Sequence, residues 1–406
     1  MWRQKEKREK DNIKNIHARL FACPPGGGSR IMHSNEIYKI NGTEYKKITK
    51  TLLERVNLEA EILNRGQGRD IRIGIKPNLV SPSPASYGAT THPEVVEGII
   101  EYLQEHGFSQ ITLIESSWVG ARTTEAMGVC GYNDLCEKYQ VPFIDVQKDP
   151  HHTVDAAGVD LEICRSIEAI DFLINVPVLK GHCQTKITCA LKNIKGLVPS
   201  SEKRHFHAMG LHKPIAHLNA AIRQDFIVVD HICGDLDFED GGHPVVRNCV
   251  MAAKDPVLVD AYVCELLHYK IKEVPYIGLA EKLGVGSADL SRLQLRFVGA
   301  ETIEELPRSD KVVAVMDAVQ EVDSCSACYG YLIPALDRFR EEGLLDELLS
   351  KLPDKICIGQ GYRDRTGAVG VGNCTRNFAF CVKGCPPTEN EIYRELKEKF
   401  LSGTVS

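Results

Sequence analysis

The sequence predicts an α/β protein: a mostly parallel sheet with flanking helices, followed by a smaller C-terminal domain. Three observations point there. Short β-rich runs recur at IRIGI (71–75), ITLIE (111–115), VPFIDV (141–146), DFLINV (171–176), FIVVD (226–230), CVMAA (249–253) and LQLRFV (293–298). Segments with helical apolar spacing separate them, the alternation that builds a parallel sheet. Beyond residue 305 the cysteines take on a different spacing, with a CxxC pair at Cys325 and Cys328.

Taken in order, residues 1–35 read as a flexible tail that includes CPPGGGS at Cys23–Ser29, and residues 36–305 as the α/β domain. A helical pattern near 48–64 carries Leu52, Leu53, Val56, Ile62 and Leu63, and the strand after it runs into Lys76-Pro77-Asn78. Thr91 is placed to cap a helix with Pro93 near its start and Gly107 at its end. A further helix runs to about Tyr139, and Asp255-Pro256 opens the helix before the last strand. In parallel sheets ligands collect beyond the carboxyl ends of the strands. That rule singles out Lys76 and Asn78, Glu115 and Ser116, Lys180 and His182, and Asp230 and His231.

Composition narrows the function. A chain of 406 residues, 43% hydrophobic and 26% charged, is ordinary for a globular protein with well-filled cores. Its formal charge of −6 gives no overall basic field, so nucleic acid is not expected as a partner. Apolar runs of membrane-span length are absent, and the charged N-terminus lacks the apolar core of a secretory signal. The expected location is cytoplasmic. No Walker loop or GxGxxG follows a strand, so nucleotide binding has no direct support.

An island of positive charge stands out. From Lys180 to His217 there are seven Lys/Arg and five of the fourteen histidines against a single acid, Glu202. A solvated basic face is the bland account. The island follows an apolar strand whose end should open on the ligand crevice, which favours a pocket for an anion or cofactor. Its candidate walls are Lys180, His182, Lys192, Asn193, Lys195, His205 and His207, with Lys76, Asn78, Glu115 and Asp230 in the same crevice.

The stretches IGIKPNLV, GATTHPEVVEGI, LINVPVLKGH, ALKNIKGLVP with EKRHFH after it, and KDPVLVDA make residues 73–265 resemble the family known as domain of unknown function 362. Some of its members carry iron–sulfur segments. More loosely, His182, Lys192 and His207 are similar to the pocket of nickel-pincer lactate racemases, and these three with Lys180 are the candidate catalytic residues.

Fifteen cysteines are many for a reducing compartment, where clusters of them usually mean metal or redox work. Cys130, Cys136, Cys164, Cys189, Cys249 and Cys264 sit in apolar patterns and read as small hydrophobes; Cys183 and Cys233 lie beside polar motifs. Residues 311–328, KVVAVMDAVQEVDSCSAC, read as a buried strand running into a loop that ends in CxxC. Cys374 in GNC and Cys385 in GCPP come after it, and four thiolates from such loops complete a Cys₄ set. Zinc is the alternative occupant, although zinc sites usually pair two close knuckles. Cys357 lies in the apolar strand KICIG, and Cys381 is an alternative to Cys374.

This order of cysteines resembles the cluster-binding domain of nickel–iron hydrogenase small subunits and its relative in respiratory complex I. The resemblance implies a shortened flavodoxin-like iron–sulfur domain over 306–406, with a [4Fe–4S] cluster on Cys325, Cys328, Cys374 and Cys385. The helical segment TENEIYRELKEKF after GCPP agrees with it.

Three functions compete: an oxidoreductase joining the cluster to an anionic substrate, an electron-transfer or cluster-carrier protein, and a non-redox isomerase or lyase with a structural cluster. The first predicts that the Cys325–Cys328 loop faces the Lys180–His207 island, about one packed layer (~10 Å) away. The expected partners are a small anionic molecule, a redox protein and a second copy in a homodimer, with no membrane partner.

Overall fold

The structure is a computed structural model that describes residues 21–22, 31–240, 242–300, 306–307 and 309–401. Most of the N-terminal segment read as a tail lies outside the described residues, as does Cys23.

Among the described residues thirteen strands precede residue 300: β1 (Phe21–Ala22), β2 (Glu36–Asn41), β3 (Ile73–Lys76), β4 (Ile111–Glu115), β5 (Phe143–Asp145), β6 (His151–Asp155), β7 (Asp160–Cys164), β8 (Phe172–Asn175), β9 (Lys180–His182), β10 (Lys186–Thr188), β11 (Phe226–Asp235), β12 (Pro244–Ala253) and β13 (Gln294–Val298). Nine form one sheet in the order β1-β13-β2-β12-β11-β8-β3-β4-β5. Only β12 runs against its neighbours, so the sheet is mostly parallel, as the alternating pattern predicts. Alternate residues serve the two faces: Leu173, Ile227 and Val229 join one apolar core, while Phe172, Ile174 and Val228 join the other. Helices cover both faces, so each core is closed.

The helix Pro93–Glu105 illustrates the local logic. Proline occupies its first turn, and Val95, Val96, Ile99, Ile100 and Leu103 are buried at helical spacing. Gly107, at φ +78°, ends it as expected. Thr91 is not the cap: the N-cap is His92, and Thr91 Oγ1 instead donates to the Val176 carbonyl and accepts from the Asn78 amide. The pattern near 48–64 is two helices, Tyr45–Val56 and Leu58–Leu63, broken at Asn57 in a left-handed conformation.

A second sheet comes next: β14 (Val319–Glu321), β15 (Ile356–Ile358), β16 (Val369–Val371) and β17 (Phe380–Val382), all parallel and in sequential order. That order lacks the strand permutation of a flavodoxin-type sheet. Helices Ser326–Glu341 and Glu389–Phe400 pack on a separate core with Leu332, Leu336, Ile358, Val371 and Leu396. One expectation is corrected here. The run KVVAVM is a helix, Lys311–Met316, and the strand before the CxxC loop comes only at Val319. Val315 is buried while Val313 and Met316 are exposed, so the run presents one apolar face, and a short valine run does not by itself distinguish strand from helix.

Among the described residues no helix is long and apolar enough to cross a membrane.

Candidate functional site

The two sheets meet at their ligand ends. A cavity of about 70 Å³ is lined by Asn78, Glu115, Ser116, Trp118, Lys192, Asn193, Lys195, Lys203, His207 and Glu239 from the first unit and by Cys325, Ser326 and Ala327 from the second. The second unit is seated by further contacts. Trp118 meets Tyr331 edge to face at 5.4 Å. Gln184 Nε2 donates to the Ser324 carbonyl (3.1 Å) and hydroxyl (2.9 Å), and Gln184 Oε1 accepts from Ser326 Oγ (3.0 Å).

One wall is the ends of β3 and β4, where Lys76 and Glu115 form a buried ion pair. Burial pushes the Glu115 carboxyl up and the Lys76 ammonium down. Gly196 passes so close that a Cβ there would lie 2.6 Å from Lys76 Nζ, which explains a glycine between Lys195 and Leu197. Lys203 Nζ donates to the carbonyls of Ser116 (3.0 Å) and Ser117 (2.7 Å) and to Ser116 Oγ (2.6 Å).

The opposite wall centres on Glu239, in the loop after β11. Its carboxylate is 2.9 Å from Lys192 Nζ, 2.9 Å from His182 Nε2 and 3.8 Å from Lys180 Nζ. Burial alone would raise its pKa, but His182, Lys192 and Lys180 hold it well below the usual carboxylate range. Glu239 itself sits at φ +83°, a conformation non-glycine residues seldom adopt. Nothing in the charge pattern of 180–217 announces this residue.

Lys195 completes the pocket. Its Nζ lies 3.2 Å from His207 Nε2, and among the described residues it has no oxygen acceptor. Burial and then the neighbouring Lys192 lower its pKa to about 7. Burial and the adjacent Lys195 likewise push His207 well below the ordinary histidine value.

The candidates therefore separate. Asn78, Glu115, Lys192, Asn193, Lys195 and His207 line the cavity; Lys76, Lys180 and His182 stand behind its walls, the last two held by Glu239. His205 turns out to solvent beside Glu202, and Asp230 is bonded to His92 (2.8 Å) away from the cavity. Lys203, Trp118, Glu239 and Gln184 are the residues that charge and motif reading missed. Asn193, whose side chain donates to Asn175 Oδ1 at 2.7 Å, ties the short helix Ala190–Asn193 to the end of β8.

The four cysteines come after three of the four parallel C-terminal strands. Cys325 and Cys328 lie after β14, Cys374 after β16 and Cys385 after β17, so all lie beyond carboxyl ends. Asn373 clamps two of these loops: its amide donates to the Gly384 carbonyl (2.8 Å), and its Oδ1 accepts from the Gly384 amide (3.0 Å). Gly384 lies at φ +147°, and a Cβ there would be 2.5 Å from Pro387 backbone atoms, so GCPP needs its glycine. Burial raises the Cys328 thiol, and Cys325, Cys385 and Cys374 add to it. Cys381 turns away, donating to the Gly372 carbonyl at 3.5 Å. Among the described residues no three His, Cys, Asp or Glu side chains are gathered around a point that would hold a metal ion. Cys130, Cys164, Cys189, Cys249 and Cys264 are buried.

Fold and site together define an α/β protein with a charged crevice at the carboxyl ends of a mostly parallel sheet. The family model described as Domain of unknown function (DUF362) matches residues 73–265, the region carrying that crevice, in agreement with the sequence resemblance. The thylakoid-associated protein sll1697 of Synechocystis sp. is 24% identical over 243 residues, 58% of this chain and 74% of that one. Two solved structures align more distantly. The lactate racemase apoprotein of Thermoanaerobacterium thermosaccharolyticum has a TM-score of 0.38 at 16% identity, covering 60% of this chain and 58% of its own. A Thermotoga maritima protein has a TM-score of 0.33 at 14% identity, covering 62% and 60%. The chain thus spans under two thirds of either solved structure.

Proposed function

We propose that the protein is an iron–sulfur oxidoreductase acting on a small anionic substrate. The observation that supports this most is the shared cavity, in which Lys192, Lys195 and His207 face Cys325. The donor set suits a [4Fe–4S] cluster: four thiols beyond the ends of parallel strands, with Cys325, Cys374 and Cys385 all within electrostatic reach of Cys328. When bound, such a cluster would supply one-electron chemistry.

The chain's own residues would do the rest. Lys195, without an oxygen partner among the described residues, would take an anionic oxygen of the substrate. Glu239 would hold Lys192 in place, while Trp118 and Val119 would exclude water from one side. The size of the cavity argues for a substrate of only a few heavy atoms, well below the volume that a nucleotide-sized ligand requires. The close Lys195–His207 pair also favours a second reading, a non-redox isomerase or lyase in which this pair moves a proton.

Anaerobic purification with iron and sulfide analysis and low-temperature EPR, with and without dithionite, tests the proposal. The expected result is about four irons and as many sulfides per chain, and a signal that appears on reduction. Stoichiometric zinc without sulfide would overturn it. A cluster that no mild reductant or bound substrate reduces, with proton-transfer activity intact, would select the second reading.

A further inference from the structure

The four thiols do not share one environment. Cys325 lines the inner cavity, whereas Cys385 is exposed. The loops after the C-terminal strands form the cysteine end of their sheet, and the helix Ser200–Ala208 meets them through Gln360 and Ser326. Lys383 lies two residues before Cys385, at the end of β17, and Arg363 and Arg365 come after β15; all three are exposed. Gln360 joins the parts, donating to the Arg204 carbonyl at 3.1 Å and accepting from Arg363 Nη2 at 3.0 Å. Arg204 is close enough to act electrostatically on Cys325 and Cys328.

Four of these cations, Arg204, Arg363, Arg365 and Lys383, have no carboxylate partner among the described residues. Arg376 is on the same rim but is offset by Asp364 at 3.3 Å. Acids lie nearby too: Glu321, engaged by the Ser324 amide at 2.7 Å, Asp323, Glu389, and Glu395, which with Lys383 acts electrostatically on Cys381. In a chain of net charge −6, unpaired cations at the end of the C-terminal sheet that carries the four cysteines call for an explanation. Arg204 can balance thiolate charge; Arg363 and Arg365 point to solvent, and such balancing does not account for them.

We infer that this rim is the docking face for an acidic one-electron carrier protein. The inference rests on the cluster reading above. The carrier is oxidised by one electron and the cysteine-held centre reduced by one, or the reverse, and no bond forms or breaks. Electrons then enter beside Cys385 and leave toward the pocket beside Cys325. An anionic lipid surface would also bring negative charge, but surface-binding segments add an apolar face. The exposed large hydrophobics among the described residues are Ile31, Leu63, Tyr87, Val129, Val246, Val313, Met316 and Leu349, and none is in these loops.

The test uses the full-length, anaerobically purified protein and a fluorescently labelled acidic plant-type ferredoxin as probe. Binding is titrated at low and moderate salt for the wild type, Arg363→Glu/Arg365→Glu and Lys383→Glu. The inference expects wild-type binding that weakens with salt, and at least about tenfold weaker binding in the variants. Reduction by dithionite should be unchanged in all three, which shows that the fold and the centre are intact. Undiminished affinity in the variants, or no wild-type binding, overturns the inference. So does a shifted midpoint potential with unchanged affinity, since the rim would then only balance thiolate charge. Binding to phosphatidylglycerol vesicles without binding to ferredoxin overturns it in favour of a lipid surface. Iron and sulfide counts on the same samples judge the cluster separately: iron-free protein that still binds ferredoxin through Arg363 and Arg365 sinks the cluster and leaves the docking face standing.

Discussion

The backbone amide of Ser326 donates to Nε2 of His207 across 3.3 Å, so the residue after the first cysteine of the CxxC pair holds the imidazole that faces Lys195. An accepting Nε2 belongs to a neutral ring, consistent with burial pushing the His207 pKa down. Pocket and cysteine loop are thus joined by a direct contact.

Gln184 strengthens that joint, with three hydrogen bonds to Ser324 and Ser326. Gln184→Ala should loosen the loop at a cost of about 1–3 kcal/mol. Hydrogen exchange over residues 322–330 should rise relative to the core of the large sheet. Unchanged protection there would show that the remaining contacts, Trp118–Tyr331, Ser326–His207 and Gln360–Arg204, seat the unit without Gln184.

Glu239 is the counter-charge for Lys180 and Lys192, and its carboxylate accepts from Nε2 of His182, whose pKa burial lowers to about 4. Glu239→Gln should cost about 3–5 kcal/mol at neutral pH, because it strands buried cations. The folded-state pKa of Glu239 is depressed, so its stabilisation is present above the ordinary carboxylate range and is lost as pH falls. Wild type and variant should therefore converge in acid. The difference should begin to close only below the ordinary carboxylate range and narrow further as pH falls through the depressed folded value. Urea melts at pH 7 and at a series of pH values below about 4 measure this, and a difference that never narrows would contradict it.

Asp260 caps the short helix that carries Lys192, accepting from the amides of Ala190 (2.7 Å) and Leu191 (3.2 Å). Burial raises its carboxyl to about 7. A raised carboxyl contributes stability that is complete below its unfolded pKa and is lost as pH climbs through 7. The advantage of wild type over Asp260→Asn should be greatest near pH 4 and shrink, by at most about 4 kcal/mol, toward pH 8. An advantage independent of pH would mean that the carboxyl ionises normally.

The cysteines allow a simple comparison. Ser at Cys325, Cys328, Cys374 or Cys385 should each remove most of the iron, while Cys381→Ser and Cys130→Ser should keep it. Cys381 is committed to Gly372 and Cys130 to the Ser83 carbonyl at 3.2 Å. Loss of iron in Cys381→Ser with retention in Cys374→Ser would exchange their roles.

Sequence makes one wall of the site legible and hides the other. Lys76 and Glu115 can be found because a strand end is a local property, readable from a few apolar residues and the polar ones directly after them. Glu239 cannot, because it returns to Lys192 through a hairpin-like reversal from β11 to β12, and its own left-handed backbone aims the carboxylate inward. His205 does not belong beside His207 in the pocket, since residues two apart on a helix point to nearly opposite sides. Only the helix Ser200–Ala208, once its buried face is known, decides between them. The parallel C-terminal sheet is legible as a class, but its start at Val319 is not, because Lys311–Met316 offers the same valines to either structure.

The two sheets stand mouth to mouth, each roofing the other's open end. In an enzyme gated by a hinged flap, a few loop residues decide when solvent enters. Here the roof is a whole folded unit fastened through Gln184, Trp118 and His207. Parting the units would break these contacts together, so access to Lys195 and His207 is tied to the docking of a whole folded unit. A ligand's residence time would then follow the breathing of the seam between the units.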